Sequence, residues 1–152
     1  AAFNIWPPPA EGESGIEGCT AVEPNRLYYV SNYYSLSGAD KMKAELYQNG
    51  PIGCGIDATD SFDAYTGGIY SEVKDLPVIN HEVSLVGYGV TDEGLEYWIG
   101  RNSWGTYWGE YGFFRIQMHK DNLAIEDDCI AATPSVEKFN PDDIDFPTEI
   151  IQ

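Results

Sequence analysis

The chain has 152 residues, of which 43% are hydrophobic and 14% aromatic, so it can form one globular domain with a real core. Its 25 acidic residues against 8 basic ones give a formal net charge of −17, which argues against binding to nucleic acid and to anionic membrane surfaces. No apolar run approaches the roughly 20 residues of a membrane span. The acidity is best explained as an aid to solubility, with a basic partner or an acidic compartment as the alternative.

The first part of the chain, residues 1–26, is rich in Pro and Gly and is predicted to be an extended loop region. The aromatic stretch that follows, 27–34, favours a β-strand. Ser37 is predicted to cap a helix, with Asp40 completing the cap. Apolar residues recur inside this helix at helical spacing, namely Ala39, Met42, Leu46 and Tyr47. The Asn-Gly-Pro sequence at 49–51 then ends the helix.

Strand patterns dominate the middle of the chain. Alternating apolar residues predict a buried strand over 52–56, and the stretches 82–90 and 95–100 predict a hairpin. A further strand is predicted at 113–117. His119 lies in a polar run and is predicted to be a surface histidine without a partner.

The last 20 residues, 133–152, contain three prolines and five acidic residues. By composition they form an acidic, Pro-containing tail. The apolar residues of the tail are too sparse for a core, namely Val136, Phe139, Ile144, Phe146 and Ile150. We therefore expect the tail to pack on another polypeptide.

The densest chemical signal is an aromatic stretch that holds three of the four tryptophans within eleven residues, Trp98, Trp104 and Trp108. One amide, Asn102, stands among them, and a partly buried amide needs hydrogen-bond partners. His81 opens the preceding apolar strand and is the best candidate. An Asn carbonyl that accepts from one imidazole N–H would leave the other nitrogen facing outward, which suits a catalytic base or a metal ligand. Trp98 is expected to be a core residue.

Several motifs then resemble the papain-like cysteine peptidases (the C1 family). They are Asn80-His81, the Arg-Asn-Ser-Trp-Gly sequence at 101–105 and the Trp-Gly-Glu-Tyr-Gly sequence at 108–112. Further motifs look like the cathepsin X/Z group of that family, at 34–38, 49–52, 65–70 and 122–126. The resemblance runs from about Cys19 to Cys129. It implies an α+β, papain-like fold, with an antiparallel, barrel-like sheet and one main helix over 27–132.

The resemblance also implies roles for the site residues. His81 would be the general acid/base, Asn102 its orienting partner, and Trp104 would cover the bond between them. Trp108 would form the wall on the leaving-group side, and Asn80 would support the site. Glu82 either lines a substrate pocket, where it would favour basic side chains, or points to solvent. The resemblance calls for no metal and no other cofactor.

The chain has three cysteines, an odd number. The resemblance implies a disulfide bond between Cys54 and Cys129, which leaves Cys19 free or paired outside this chain. A disulfide bond indicates an oxidising compartment, lysosomal or extracellular. No cysteine stands in the sequence context of the family's nucleophile, which we expect roughly 50–70 residues before Ala1.

The chain therefore looks like the C-terminal half of a peptidase, incomplete and inactive without a Cys-bearing N-terminal half. Two functions remain open. One is a cysteine peptidase that hydrolyses peptides, of the carboxypeptidase type. The other is a catalytically inactive structural or interaction subunit of a larger assembly.

Overall fold

The structure is a computed structural model that describes residues 28–135. One seven-stranded sheet with few helices makes up this range, which confirms the predicted α+β class. The strands are β1 (Tyr29–Leu36), β2 (Ile52–Ile56), β3 (Ile69–Tyr70), β4 (His81–Val90), β5 (Glu96–Arg101), β6 (Phe113–Gln117) and β7 (Cys129–Ser135). The helices are α1 (Ala39–Gln48) and α2 (Asp60–Asp63), with a 3-10 turn at Asn122–Ala124.

The sheet has the strand order β1-β7-β2-β4-β5-β6-β3. β2 pairs antiparallel with β4 and β7, and β5 pairs antiparallel with β4 and β6, whereas β3 runs parallel to β6. Over the described range the sheet is open, with β1 and β3 as its outer strands, so the barrel is not closed here. The predicted hairpin is confirmed as β4 and β5, with an irregularity in register between Leu85 and Gly87.

One face of the sheet forms the core. Along β4, Val83 and Leu85 are buried while Glu82 and Val86 are exposed, as the alternation of a half-buried strand requires. The largest fully buried side chains include Trp98, Phe62, Phe114 and Ile116. The prediction of Trp98 as a core residue is therefore confirmed.

Helix α1 packs on this core through Ala39, Met42 and Leu46, as predicted. Tyr47, expected with them, is 86% exposed. The predicted Ser37 cap was also wrong. Gly38 stands at the N-cap with φ 86°, a value that glycine adopts without steric cost, and no side chain caps the helix. The Gly38 N–H instead donates to the Glu126 carbonyl at 2.8 Å, so a tertiary backbone bond fixes the helix start.

Cys54 and Cys129 form the predicted disulfide bond. They are register partners on β2 and β7, with their Cα atoms 4.1 Å apart, and both are buried. The bond thus joins the centre of the sheet to the last described strand. Cys19 lies outside the described residues.

The described range bears only partly on the predicted domain boundaries. Strand β7 includes Thr133 and Pro134, which the sequence prediction placed in the tail, and the Ser31 hydroxyl donates to the Thr133 carbonyl. The loop region 1–26 and the rest of the tail lie outside the described residues, as does the expected packing of the tail on another polypeptide. Between residues 28 and 135 no helix is both long and apolar enough to cross a membrane.

Candidate active site

His81 and Asn102 lie at adjacent ends of two neighbouring strands. His81 is the first residue of β4, and Asn102 directly follows Arg101, the last residue of β5. The strands pair antiparallel with Ser84 opposite Arg101, so the start of β4 lies beside the end of β5. The His81 Nε2 atom lies 2.8 Å from the Asn102 Oδ1 atom. The structure brings the two side chains into contact as predicted; their catalytic role stays a prediction.

The amide of Asn102 fixes which imidazole nitrogen carries the proton. Its Oδ1 also accepts the Ser103 backbone N–H at 2.8 Å, and an N–H bonds only to the oxygen of an amide. The oxygen therefore faces His81, and Nε2 donates to it. In the neutral imidazole Nδ1 then carries the free lone pair. No residue between 28 and 135 forms a hydrogen bond with Nδ1, so this nitrogen is available for proton exchange.

Burial holds the Asn102 side chain in this orientation. The residue is 7% exposed, and its backbone N–H donates to the Gly112 carbonyl at 2.9 Å. Its Nδ2 atom is buried without a hydrogen-bond partner in the described part of the chain. Asn102 Oδ1 accepts two hydrogen bonds, whereas Nδ2 makes none with the described residues. The site thus satisfies the oxygen that contacts His81 and leaves the amide nitrogen unpaired.

Trp104 packs against the imidazole. The two rings are stacked at 4.9 Å between centroids, with an interplanar angle of 24°. Trp104 in turn contacts Trp108 at 5.0 Å and Phe62 at 5.9 Å, both edge-on. Such aromatic contacts are worth about 0.5–1.5 kcal/mol each beyond area burial. One side of the His81 ring is therefore held by an aromatic cluster that continues into the core.

Trp108 supports this cluster from beneath. It is only 8% exposed, and its indole N–H donates to the Asp63 carbonyl at 2.8 Å. Its role as the wall on the leaving-group side, which the resemblance implies, stays a prediction. The turn after it needs glycine, since Gly109 has φ 56° and a Cβ there would lie 2.6 Å from the Phe113 carbonyl oxygen.

Asn80 fastens the backbone beside His81. Its Oδ1 accepts the Ala58 N–H at 2.8 Å, and its Nδ2 donates to the Ala58 carbonyl at 3.3 Å. Its own N–H donates to the Ile56 carbonyl at 3.2 Å. Asn80 therefore acts on the backbone ahead of β4, without a hydrogen bond to the imidazole.

Glu82 lines a surface depression of about 330 Å³ next to Asn102. The side chain is exposed, as is Arg101 across the depression, and neither forms an ion pair with any residue between 28 and 135. The remaining lining residues are Gly53, Val83, Ser84, Asn102 and Ser103. Glu82 was expected either to line a substrate pocket or to point to solvent. Its exposed position at the rim of a depression is compatible with both, so neither alternative is decided.

Sequence reasoning missed three ionic contacts near these elements. His119 was predicted to have no partner, yet its Nε2 lies 2.6 Å from a Glu96 oxygen, and Lys43 reaches the other Glu96 oxygen at 2.5 Å. The hydrogen bond from Lys43, and to a smaller extent the one from His119, lower the pKa of Glu96. Glu110 pairs with Arg115 through both carboxylate oxygens, which lowers the pKa of Glu110.

The buried carboxylate of Asp57 was missed as well. It accepts from the Lys74 ammonium at 2.6 Å and from the Val78 N–H at 2.8 Å. These partners lie 17 and 21 positions away in an irregular segment. Asp57 directly follows the predicted buried strand over 52–56, and no periodic pattern in the sequence indicates its partners.

A sequence profile described as papain family cysteine protease matches residues 9–133. The chain belongs to the papain family of cysteine proteases. It is 50% identical over 124 residues to a protein named Cathepsin Z from Onchocerca volvulus, covering 76% of this chain and 40% of that protein. It is 30% identical over 120 residues to Cathepsin B-like protease 1 from Arabidopsis thaliana, covering 75% of this chain and 32% of that protein.

Solved papain-family structures share the fold. Procathepsin L2 from the larval midgut of Tenebrio molitor superimposes with a TM-score of 0.62 at 32% identity, over 68% of this chain and 34% of that one. Procathepsin B S9 from Trypanosoma congolense gives a TM-score of 0.63 at 31% identity, over 72% of this chain and 38% of that one. The predicted resemblance is confirmed. The chain spans less than half the length of the curated relatives that it matches.

Proposed function

We propose that this chain supplies the histidine–asparagine half of the active site of a cysteine peptidase similar to cathepsin Z. One observation carries the proposal. The His81 imidazole is held by Asn102 through Nε2, stacked on Trp104, and free at Nδ1. A ring fixed in one tautomer with one open nitrogen is the arrangement that a general acid/base requires.

In the reaction proposed, Nδ1 of His81 accepts the proton of a cysteine thiol, and the thiolate attacks the peptide carbonyl carbon. The carbonyl becomes a tetrahedral oxyanion. When the C–N bond breaks, the imidazolium gives its proton to the leaving amine, and a thioester remains. Water then loses a proton to Nδ1 and attacks the thioester, which releases the acid and returns the proton to the thiolate.

The surroundings of His81 fit this cycle. In both the neutral and the protonated ring, the proton stays on Nε2 and is donated to Asn102 Oδ1, because an amide oxygen can only accept. Nδ1 thus does all the proton transfer, and the ring does not need to rotate between steps. Trp104 limits the access of water to one face of the ring and so preserves the bond to Asn102.

Both cysteines described in residues 28–135 are joined in the Cys54–Cys129 disulfide bond, so neither offers a thiol. Cys19, which lies outside the described residues, does not stand in the sequence context of the family's nucleophile. We therefore place the nucleophile on a Cys-bearing half outside this chain, and a full-length transcript would identify it. Peptide hydrolysis should be absent from the 152-residue chain alone, because an oriented imidazole without a thiolate lacks the acylation step. Joined to that half, the chain should hydrolyse an unblocked peptide, and alkylation of the thiol should stop it.

Two histidine variants give a matched test. His81→Ala in the joined protein should lower kcat/KM by a factor of about 10² to 10⁴, the range of general acid–base catalysis, or more. His119→Ala removes the other histidine, which is half exposed and bound to Glu96, and should leave kcat/KM close to that of the unchanged protein. Equal activity of His81→Ala and His119→Ala would refute the proposal. Thiol-dependent hydrolysis by the chain alone would refute the placement of the nucleophile.

We extend the proposal to the carboxypeptidase type, which the resemblance of the motifs at 34–38, 49–52, 65–70 and 122–126 to the cathepsin X/Z group implies. Peptides with a free C-terminal carboxylate should be cleaved faster than the same peptides amidated at the C-terminus. Equal rates would indicate an endopeptidase. Glu82 would favour a basic substrate side chain, so Glu82→Gln should raise KM for a Lys- or Arg-containing peptide more than for its Leu counterpart.

A buried disulfide bond favours an oxidising compartment, so we place the protein in the lysosome or outside the cell. The alternative function, an inactive subunit that kept the fold, would be the better explanation if the joined protein bound peptides without cleaving them. We expect the tail at 136–152 to contact the Cys-bearing half or another polypeptide. Cross-linking of a tail lysine or cysteine variant in the joined protein would test this.

A further inference from the structure

The segment 71–80 carries the chain from β3 directly to His81. It contains no helix or strand, and several of its apolar side chains are exposed, including Val73, Leu76 and Val78. An irregular, poorly buried segment is normally one of the more mobile parts of a fold. Its last residue, Asn80, nevertheless directly precedes His81, the proposed general acid/base.

Asp57 binds this segment from within the fold. It is 3% exposed, and its Oδ2 atom accepts from the Lys74 ammonium at 2.6 Å and from the Val78 backbone N–H at 2.8 Å. Both donors belong to the segment, and Val78 lies three positions before His81. One carboxylate oxygen therefore ties down the half of the segment that is next to the imidazole.

Asp57 is itself held in register with His81. It directly follows Ile56, the last residue of β2, whose Cα partner across the sheet is His81. Its backbone N–H donates to the Leu123 carbonyl at 2.9 Å. The last residue of β2 is thus paired with His81 on β4. The side chain that follows it, Asp57, binds the segment that leads into His81.

Hydrogen bonds to other residues hold the other end of the segment. The Glu72 N–H and the Ser71 hydroxyl both donate to the Asn122 Oδ1 atom, at 2.8 Å and 3.1 Å, and the Thr59 hydroxyl donates to the Glu72 carboxylate at 2.8 Å. These bonds lie about nine to ten residues before His81. They leave the placement of 74–80 to Asp57 and to the bonds of Asn80.

Only the carboxylate of this ion pair is buried, because the Lys74 side chain is 42% exposed and the Asp57 side chain 4%. Desolvation of the carboxylate offsets much of its attraction to the ammonium, so the pair is a costly way to stabilise a fold. Its geometry is specific, however, since a buried carboxylate left without its donors is strongly unfavourable. The hydrogen bond from the Lys74 ammonium, and after it the one from the Val78 N–H, lower the pKa of Asp57 and so favour the charged carboxylate.

We infer that Asp57 is a positioning residue for His81, which fixes the segment 74–80 and through it the imidazole relative to Asn102 and the substrate. The kinetic part of this inference rests on the proposed peptidase function. The structural part does not, because it concerns only contacts within this chain.

The first experiment uses the 152-residue chain alone. Asp57→Asn keeps an acceptor for Val78 but removes the charge, Asp57→Ala removes both, and Lys74→Met removes the ammonium. We expect the His81 ring resonances in NMR spectra to shift or broaden, and exchange of the Val78 amide hydrogen to accelerate at least tenfold in Asp57→Ala. Lys43→Met is the matched control, since it breaks the Lys43–Glu96 ion pair of 2.5 Å elsewhere on the chain.

If Asp57→Ala does not fold, the other two variants still decide the question. His81 resonances that stay unchanged in both Asp57→Asn and Lys74→Met, or that change equally in Lys43→Met, would overturn the inference. The joined protein gives the second readout. A misplaced general base should lower kcat about 10- to 100-fold with little change in KM, in the order Asp57→Ala, then Asp57→Asn and Lys74→Met.

The two arms separate this inference from the proposed function. An unchanged joined protein that cleaves no peptide would refute the peptidase function, while the NMR arm would still measure the effect of Asp57 on His81. A joined protein that is active, and whose Asp57 variants keep full kcat while the His81 resonances stay in place, would refute the positioning role alone.

Discussion

Gly100 offers the sharpest test of how the aromatic cluster is packed beneath His81. It lies on β5 one residue before the strand ends, is buried, and faces Phe114 on β6. An ideal Cβ at Gly100 would lie 2.8 Å from the Phe114 Cε2 atom and closer still to Cζ and Cε1. Gly100→Ala therefore cannot be accommodated unless the Phe114 ring moves.

The ring has little room to move. Phe114 is fully buried and contacts Phe62 at 5.1 Å and Trp108 at 6.1 Å between ring centroids. Overpacking of such a site costs about 1–3 kcal/mol. Replacement of glycine by alanine also lowers the conformational entropy of the unfolded chain, which raises the free energy of unfolding by about 0.4–1 kcal/mol. The free energy of unfolding should therefore fall by about 1–2 kcal/mol.

Gly53→Ala, on strand β2 of the same sheet, is the matched control. A Cβ there meets the Ile130 Cγ2 atom at 3.4 Å and the Ile130 carbonyl oxygen at 3.9 Å, which are ordinary van der Waals contacts. This variant should gain about 0.4–1 kcal/mol through the unfolded state. Urea unfolding of the chain, followed by tryptophan fluorescence, would measure both changes. A Gly100→Ala variant as stable as Gly53→Ala would show that the Phe114 packing described here is incorrect.

The remaining predictions concern the disulfide bond and acid–base behaviour. Cys54→Ala together with Cys129→Ala opens a loop of 75 residues and should lower the free energy of unfolding by about 4 kcal/mol, seen as a lower urea midpoint that reductant no longer changes. Burial, followed by the charge of Asp127, raises the pKa of Asp121 in the folded chain. This contribution to stability is complete below the ordinary Asp pKa of about 3.9 and is lost as pH rises through the raised pKa, so Asp121→Asn should flatten that fall in the unfolding midpoint. Asp57 has the opposite sign, because its lowered pKa makes its contribution disappear as pH falls through that pKa, and Asp57→Asn should flatten the acid end of the profile.

The elements with strong local signals could be predicted from the sequence. The alternation of β4 and β5 predicts the hairpin, and the strands that carry His81 and Asn102 predict that these two side chains lie side by side, as the structure shows. The pairing of Cys54 with Cys129 followed from the family resemblance and is present as expected. Periodicity and motif spacing are local or inherited patterns, so they predict the secondary structure of a short stretch and the motif residues within it.

Contacts made by irregular segments could not be predicted in this way. The start of helix α1 is set by a bond from Gly38 to the Glu126 carbonyl, 88 positions along the chain, and a Ser–x–x–Asp pattern could not reveal it. The partner of His119 could not be predicted, because Glu96 lies 23 positions away at the start of β5. In both cases a tertiary partner outweighs the local preference.

A neutral amide, and not a carboxylate, orients His81, and this choice has a consequence for how the site would work. Asn102 fixes the ring through one hydrogen bond but provides no negative charge, and no residue between 28 and 135 forms an ion pair with His81. In a cysteine peptidase the charge of the imidazolium would then be balanced by the thiolate itself. Under the proposed function, this chain holds the geometry of the general acid/base, while the Cys-bearing half provides the charge that makes it reactive. Each half would be inactive for a different physical reason, and only their contact would create the nucleophile.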